Sequence, residues 1–233
     1  MSLIHKARRL KDLLKANMNI TDVERDALYK VIYSRRDVRK DFLPKAIPDE
    51  VLERILKAGH HAPSVGFMQP WDFILVTEEE TKNALKKGYE SARVESTQKF
   101  SEEKRAEYKS FKLEGILEAP LGICVTCDRD RNGPVVIGRT IKPEMDMYST
   151  VCAIQNIWLA ARAENIGLGW VSIIHDEVLR ETLYIPANIE IIAYLCLGYV
   201  SSFQDKPELE TYGWLPREDI SKLIHKEKWT TKA

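Results

Sequence analysis

The chain has 233 residues, 44% of them hydrophobic and 30% charged, enough for one large domain or two small ones with a substantial core. Thirty-five Lys and Arg balance 35 Asp and Glu, so there is no global basic field for sequence-independent nucleic-acid binding, and any bound anion needs a local cluster. No run approaches the roughly 18 apolar residues of a membrane span and the start lacks the apolar core of a secretion signal, so the expected location is the cytoplasm, with neither membrane nor nucleic acid as partner.

Residues 1–18 set Leu3, Ile4, Leu10, Leu13 and Leu14 among Lys6, Arg8, Arg9, Lys11 and Lys15, the pattern of a basic amphipathic helix. Such a helix packs on its own domain or on a partner subunit; a membrane-surface or targeting role is the alternative. Thr21 and Glu24 spell a capping box that opens a helix reaching about Tyr33. It delivers the chain to Ser34–Arg39, SRRDVR, where Arg35, Arg36 and Arg39 surround one carboxylate, Asp37. Three guanidiniums suit a phosphorylated ligand, because each grips phosphate oxygens with a planar fork of donors. Taken alone, the stretch fits the solvated charged end of a helix better.

Pro48 starts the next helix, with Val51, Ile55, Leu56 and Ala58 or Ala62 as its apolar stripe and His60 and His61 as cap and packed ring at its end. APSVGFMQPW, residues 62–71, is kept irregular by two prolines and Gly66, and its mixture of Ser64 and Gln69 with Phe67, Met68 and Trp71 can wall a planar ligand. WDFILVT is a strand. Residues 78–118 form a charged helical stretch that reads as too polar for the core, hence a solvated pair of helices or a cover over a site.

LGICVTC follows as a buried strand; Cys124 and Cys127, three apart, face opposite sides, and these two with Cys152 and Cys196 read as reduced, buried thiols. Residues 144–165 make a helix apolar on most sides and therefore central. IGLGWVSII is a strand in which Gly167 and Gly169 allow close backbone approach, and EIIAYLCLGYV is a strand buried on both faces. The tail from Ser201 is polar and without period. No repeat or linker appears in the sequence, and one α+β domain is the economical architecture.

The order of these blocks, SRRDVR, HHAPSVGFMQPW, LEGILEAPLG, YSTVCAIQNIWLAARAENIGLGWVS, LCLGYV and the tail with Gly213-Trp214, resembles the flavin-dependent nitroreductase family over roughly Thr21–Arg217. Within it, the detail resembles the BluB-type branch, the 5,6-dimethylbenzimidazole synthases, with Asp37 where ordinary members more often have serine. The resemblance implies a nitroreductase-like α+β fold, a central mixed sheet flanked by helices in an intertwined homodimer, with residues 1–20 as an extension and 21–233 as the FMN-binding domain. It implies Arg35, Arg36, Asp37, Val38, Arg39, Ser64, Val65, Gly169, Trp170, Ser172 and Arg217 as flavin contacts, with Asp37 and Ser172 serving chemistry. The implied reaction consumes reduced FMN and O2 to give 5,6-dimethylbenzimidazole, the lower ligand of vitamin B12, with a flavin reductase or other source of reduced FMN as partner and no metal. An NAD(P)H-dependent nitroreductase or flavin reductase, and a non-catalytic FMN carrier, are the alternatives.

Overall fold

A computed structural model describes residues 19–230; the basic N-terminal pattern lies outside them. The chain divides into two compact units, one ending at Arg35 and the other beginning at Arg36. The described part of the first is helix α1 (Asp22–Ser34), opened by the expected capping box: Thr21 Oγ1 accepts from the Glu24 N–H and Glu24 Oε2 accepts from the Thr21 N–H at 2.9 Å. Arg35, at ψ 135°, is already extended and caps it.

The second unit holds α2 (Asp49–His60), β1 (Trp71–Val76), α3 (Glu79–Gln98), α4 (Glu102–Ser110), β2 (Leu121–Asp128), α5 (Met145–Ala163), β3 (Ile166–Val171), α6 (Asp176–Leu183), β4 (Ile189–Tyr199) and the short α7 (Glu208–Thr211). The strands form one sheet in the order β1-β2-β4-β3, every pairing antiparallel. The expected mixed character is confined to an isolated parallel bridge, Asp37 with Leu168, on the outer edge of β3. Because β2 and β4 are central, both of their faces are buried and period-2 alternation splits their side chains between two cores. Leu195 and Leu197 join Ile123, Ile154 and Ile157 on the α5 side, whereas Tyr194, Cys196 and Cys124 join Leu85 and Tyr89 on the other.

Two expectations need correction. Residues 78–118 are not too polar for the core: Leu85 and Tyr89 of α3 are fully buried, since a helix needs only one apolar residue per turn on its inner face; most Glu and Lys residues occupy the others, and buried Lys82 donates to Ala119 O at 2.6 Å. Cys152 is exposed, unlike the other three thiols, because it falls on an outward stripe of α5 with Tyr148, Val151 and Gln155. The polar tail also carries exposed apolar residues, Ile220, Leu223, Ile224 and Trp229 among them. No helix among the described residues is long and apolar enough to cross a membrane.

Candidate functional site

The edge of β3 is where the arginine segment docks. The Val38 N–H donates to Leu168 O at 2.9 Å, and the backbones come so close that a Cβ on Gly169 would lie 2.0 Å from Val38 O. A carbonyl oxygen that close to the Cβ position leaves no room for any side chain at 169, so the glycine there is a requirement of the docking. Docking places Asp37 over the next residue: its Oδ1 accepts from the Trp170 N–H at 3.1 Å, while Oδ2 accepts from Arg39 Nε at 3.0 Å and Nη2 at 2.6 Å. The carboxylate is thus oriented on both oxygens while retaining 28% of its side-chain exposure. Ser172 lies just past the end of β3 and is exposed.

Arg36 is held at both ends. Its carbonyl accepts from Trp158 Nε1 at 3.1 Å, and its guanidinium donates to Asp205 O. One turn further along α5 lies Arg162, whose guanidinium stacks 4.0 Å from the Phe203 ring centroid. Burial, and then the like charge of Arg36, hold Arg162 below the usual guanidinium pKa. Two cations brought near each other against their repulsion suit an anion such as phosphate. A cavity of about 30 Å³ adjoins Arg36, lined by residues 36–41, Ser202–Gln204 and Glu208. It has room for a water or two and none for a three-ring system, so a flavin ring would have to lie outside it.

Ser64 and Val65 are placed elsewhere, near the start of α5. The Val65 N–H donates to Ser149 Oγ at 3.0 Å, and Ser64 Oγ accepts from the Gln69 N–H at 3.1 Å. The residues between form a 3₁₀ turn with Gly66, Phe67 and Gln69 at φ of 53°, 55° and 50°, a strained loop that holds the Phe67 ring out in solvent at 81% exposure. Ser149 and Trp158 stand nine residues apart, so α5 separates the two loci by about 14 Å along its axis. That span suits an extended ligand with a ring at one end and a phosphate at the other. Arg217 is exposed in the irregular tail. Arg35 belongs to the first unit.

The structure therefore joins Arg36, Asp37, Val38, Arg39, Gly169 and Trp170, places Ser172 just past the end of β3, and leaves Ser64 and Val65 at a second locus. Sequence reasoning missed Arg162. Its signal was present: Trp158 and Arg162 are four apart and share a helix face. His60 and His61 are an aromatic partner and a cap as expected, the former accepting from Trp71 Nε1 at 3.2 Å.

The model of the nitroreductase family matches residues 32–199, which include the arginine segment, the 64–69 loop, α5 and all four strands. The chain belongs to the nitroreductase family. Among relatives, it is 37% identical over 193 residues to the 5,6-dimethylbenzimidazole synthase of Rhodospirillum rubrum, covering 83% of this chain and 91% of that one. It is 36% identical over 204 residues to the synthase of the same description from Rhodobacter capsulatus, covering 86% and 98%. The crystal structure of oxidized iodotyrosine deiodinase bound to FMN and 3-iodo-L-tyrosine superposes with a TM-score of 0.68 at 21% identity, over 87% of this chain and 100% of that one, and shares the nitroreductase fold.

Proposed function

We propose that this chain is a 5,6-dimethylbenzimidazole synthase of the nitroreductase family: a cytoplasmic homodimer that binds reduced FMN and, with O2, fragments it to the lower ligand of cobalamin. The observation that carries this reading is the placement of Asp37, a carboxylate oriented on both oxygens beside a cationic cluster, in a chain 36–37% identical over most of its length to synthases of that name. Arg36, Arg39 and Arg162 supply the charge for a dianionic phosphate, which tests the fit of FMN on the residues present. Arg35 and Arg217 are proposed for the same phosphate on the family motif alone, as is residue 21 for the start of the domain.

When bound, reduced FMN supplies the electron-rich ring that reacts with O2 and the carbon atoms of the product. The chain's own residues do the rest. Gly169 and Val38 bring the Asp37 segment against β3; the Trp170 N–H and Arg39 hold the carboxylate in one orientation; the remaining lone pairs of Asp37 accept a proton from the ligand or return it. Ser172, just past the end of β3, offers a hydroxyl to the ring. The outward stripe of Tyr148, Val151 and Cys152 on α5 supports a homodimer, since a second copy would cover apolar surface that one chain leaves in water.

The test is to mix the protein with reduced FMN in air and assay the products. Dimethylbenzimidazole supports the synthase; oxidised FMN alone, turning over with NAD(P)H, supports a flavin reductase; bound and unaltered FMN supports a carrier.

A further inference from the structure

Lys40, one residue past the Asp37–Arg39 pair, ends in a compact polar triad. Its Nζ lies 2.7 Å from Glu208 Oε1 and 3.3 Å from Tyr212 Oη, and the Tyr212 hydroxyl donates to the same Glu208 oxygen at 3.0 Å. The Glu208 side chain is only 8% exposed, so its charge is held by these two partners rather than by water. The Tyr212 ring in turn stacks on Phe111, with centroids 5.6 Å apart and planes 11° from parallel. Trp214 continues the contact, meeting Phe111 edge-on at 5.4 Å and Phe100 at 5.8 Å. Phe100 precedes α4 and Phe111 follows it, so one indole touches both ends of that helix. The loop after α4 closes the circuit: a Cβ on Gly115 would lie 2.6 Å from the Phe42 ring and 3.4 Å from Arg39 O. Arg36 meanwhile donates to Asp205 O, at the start of the same tail segment.

From this circuit we infer that residues 205–214 are a strap that locks α4 to the Asp37–Arg39 segment, with Glu208 and Tyr212 as positioning residues that govern the fate of reduced flavin. The inference rests on the functional reading above and deepens it. A carboxylate an ångström out of place forfeits rate while binding persists, because phosphate affinity comes from the arginines and proton transfer depends on geometry. Misplacement diverts reduced FMN to plain oxidation, in which two electrons and two protons pass to O2 to give FMN and hydrogen peroxide.

The experiment measures dimethylbenzimidazole and hydrogen peroxide per bound reduced FMN, alongside FMN affinity and thermal stability, in full-length protein. Tyr212→Phe keeps the stack and removes the hydroxyl; Glu208→Gln keeps the shape and removes the charge. Both are expected to retain FMN affinity within a factor of a few and to lose benzimidazole yield by about ten- to a hundred-fold, with peroxide rising to match. Lys40→Glu combined with Glu208→Lys is expected to recover much of the yield that either change alone abolishes. Wild-type yield in both single variants, at whatever thermal stability, overturns the strap, and so does loss of FMN binding in both. Wild-type protein that makes no benzimidazole overturns the functional reading itself.

Discussion

Asp37 and Asp146 meet the same chemistry in two regions of the molecule. Each gives one oxygen to arginine and the other to a backbone N–H: Asp37 to Arg39 and Trp170, Asp146 to Arg129 at 3.1 Å, Arg139 at 3.2 Å and the Met147 N–H at 2.7 Å. They differ in access. Asp146 has no exposed side-chain surface and ties the 129–139 loop to the start of α5, whereas Asp37 keeps 28% and borders a cavity. With two cations on one oxygen and no exposed side-chain surface, Asp146 sits at the centre of a clamp. With one guanidinium and 28% of its side chain exposed, Asp37 is the one of the two that a ligand can reach, and proton transfer is the role proposed for it. The residue types are alike, and exposure separates them.

The sharpest way to break this comparison is to remove charge from each. Asp37→Asn should cut benzimidazole formation about a hundred- to ten-thousand-fold while leaving folding intact and FMN affinity equal or better, since a negative charge beside a phosphate is lost. A variant with wild-type yield per bound flavin would place the chemistry elsewhere. Asp146→Ala should act on stability instead, costing about 3–5 kcal/mol in denaturant unfolding because two half-buried guanidiniums lose their counter-ion. If Asp146→Ala folds with near wild-type stability, or Asp37→Asn proves the more destabilising, the division fails.

Arg36→Ala sharpens it from the cationic side, with FMN binding expected to weaken roughly ten- to a hundred-fold in a titration, as charge-assisted hydrogen bonds contribute about 1.5–3 kcal/mol each. Unchanged affinity would remove Arg36 from the phosphate site. The smallest effect concerns a third carboxylate, Glu114, buried after α4. Burial pushes its carboxyl up, and hydrogen bonds from Lys86, Lys112 and the Ile116 N–H more than offset this, holding it below 4.5. A lowered carboxyl contributes stability that is complete above pH 4.5 and lost as pH falls through its folded value. Glu114→Gln should therefore flatten the acid side of the stability profile below pH 4.5, and an unaltered acid limb in chemical denaturation would show that Glu114 contributes nothing there.

Much of this was legible in the sequence. The capping box at Thr21–Glu24, the strands at 71–76, 121–128, 166–171 and 189–199 and the helix centred on Ile154 follow from local rules: a hydroxyl three residues before a glutamate, period-2 or continuous apolar runs, and apolar residues at nearly every turn. The opposite facing of Cys124 and Cys127 follows from the pleat alone. SRRDVR could be singled out because charge density is a property of the string. The tertiary structure decided what depends on residues far apart: that Gly169 exists to admit the Val38 carbonyl, that Arg162 joins Arg36, that Cys152 faces outward and Tyr89 inward, and that Lys40 is bound to Glu208 across 168 positions. Local propensity records the conformation a segment prefers; burial and the pairing of charge arise only when the sheet edge, α5 and the tail are brought to the same place, and no short window of sequence contains all three.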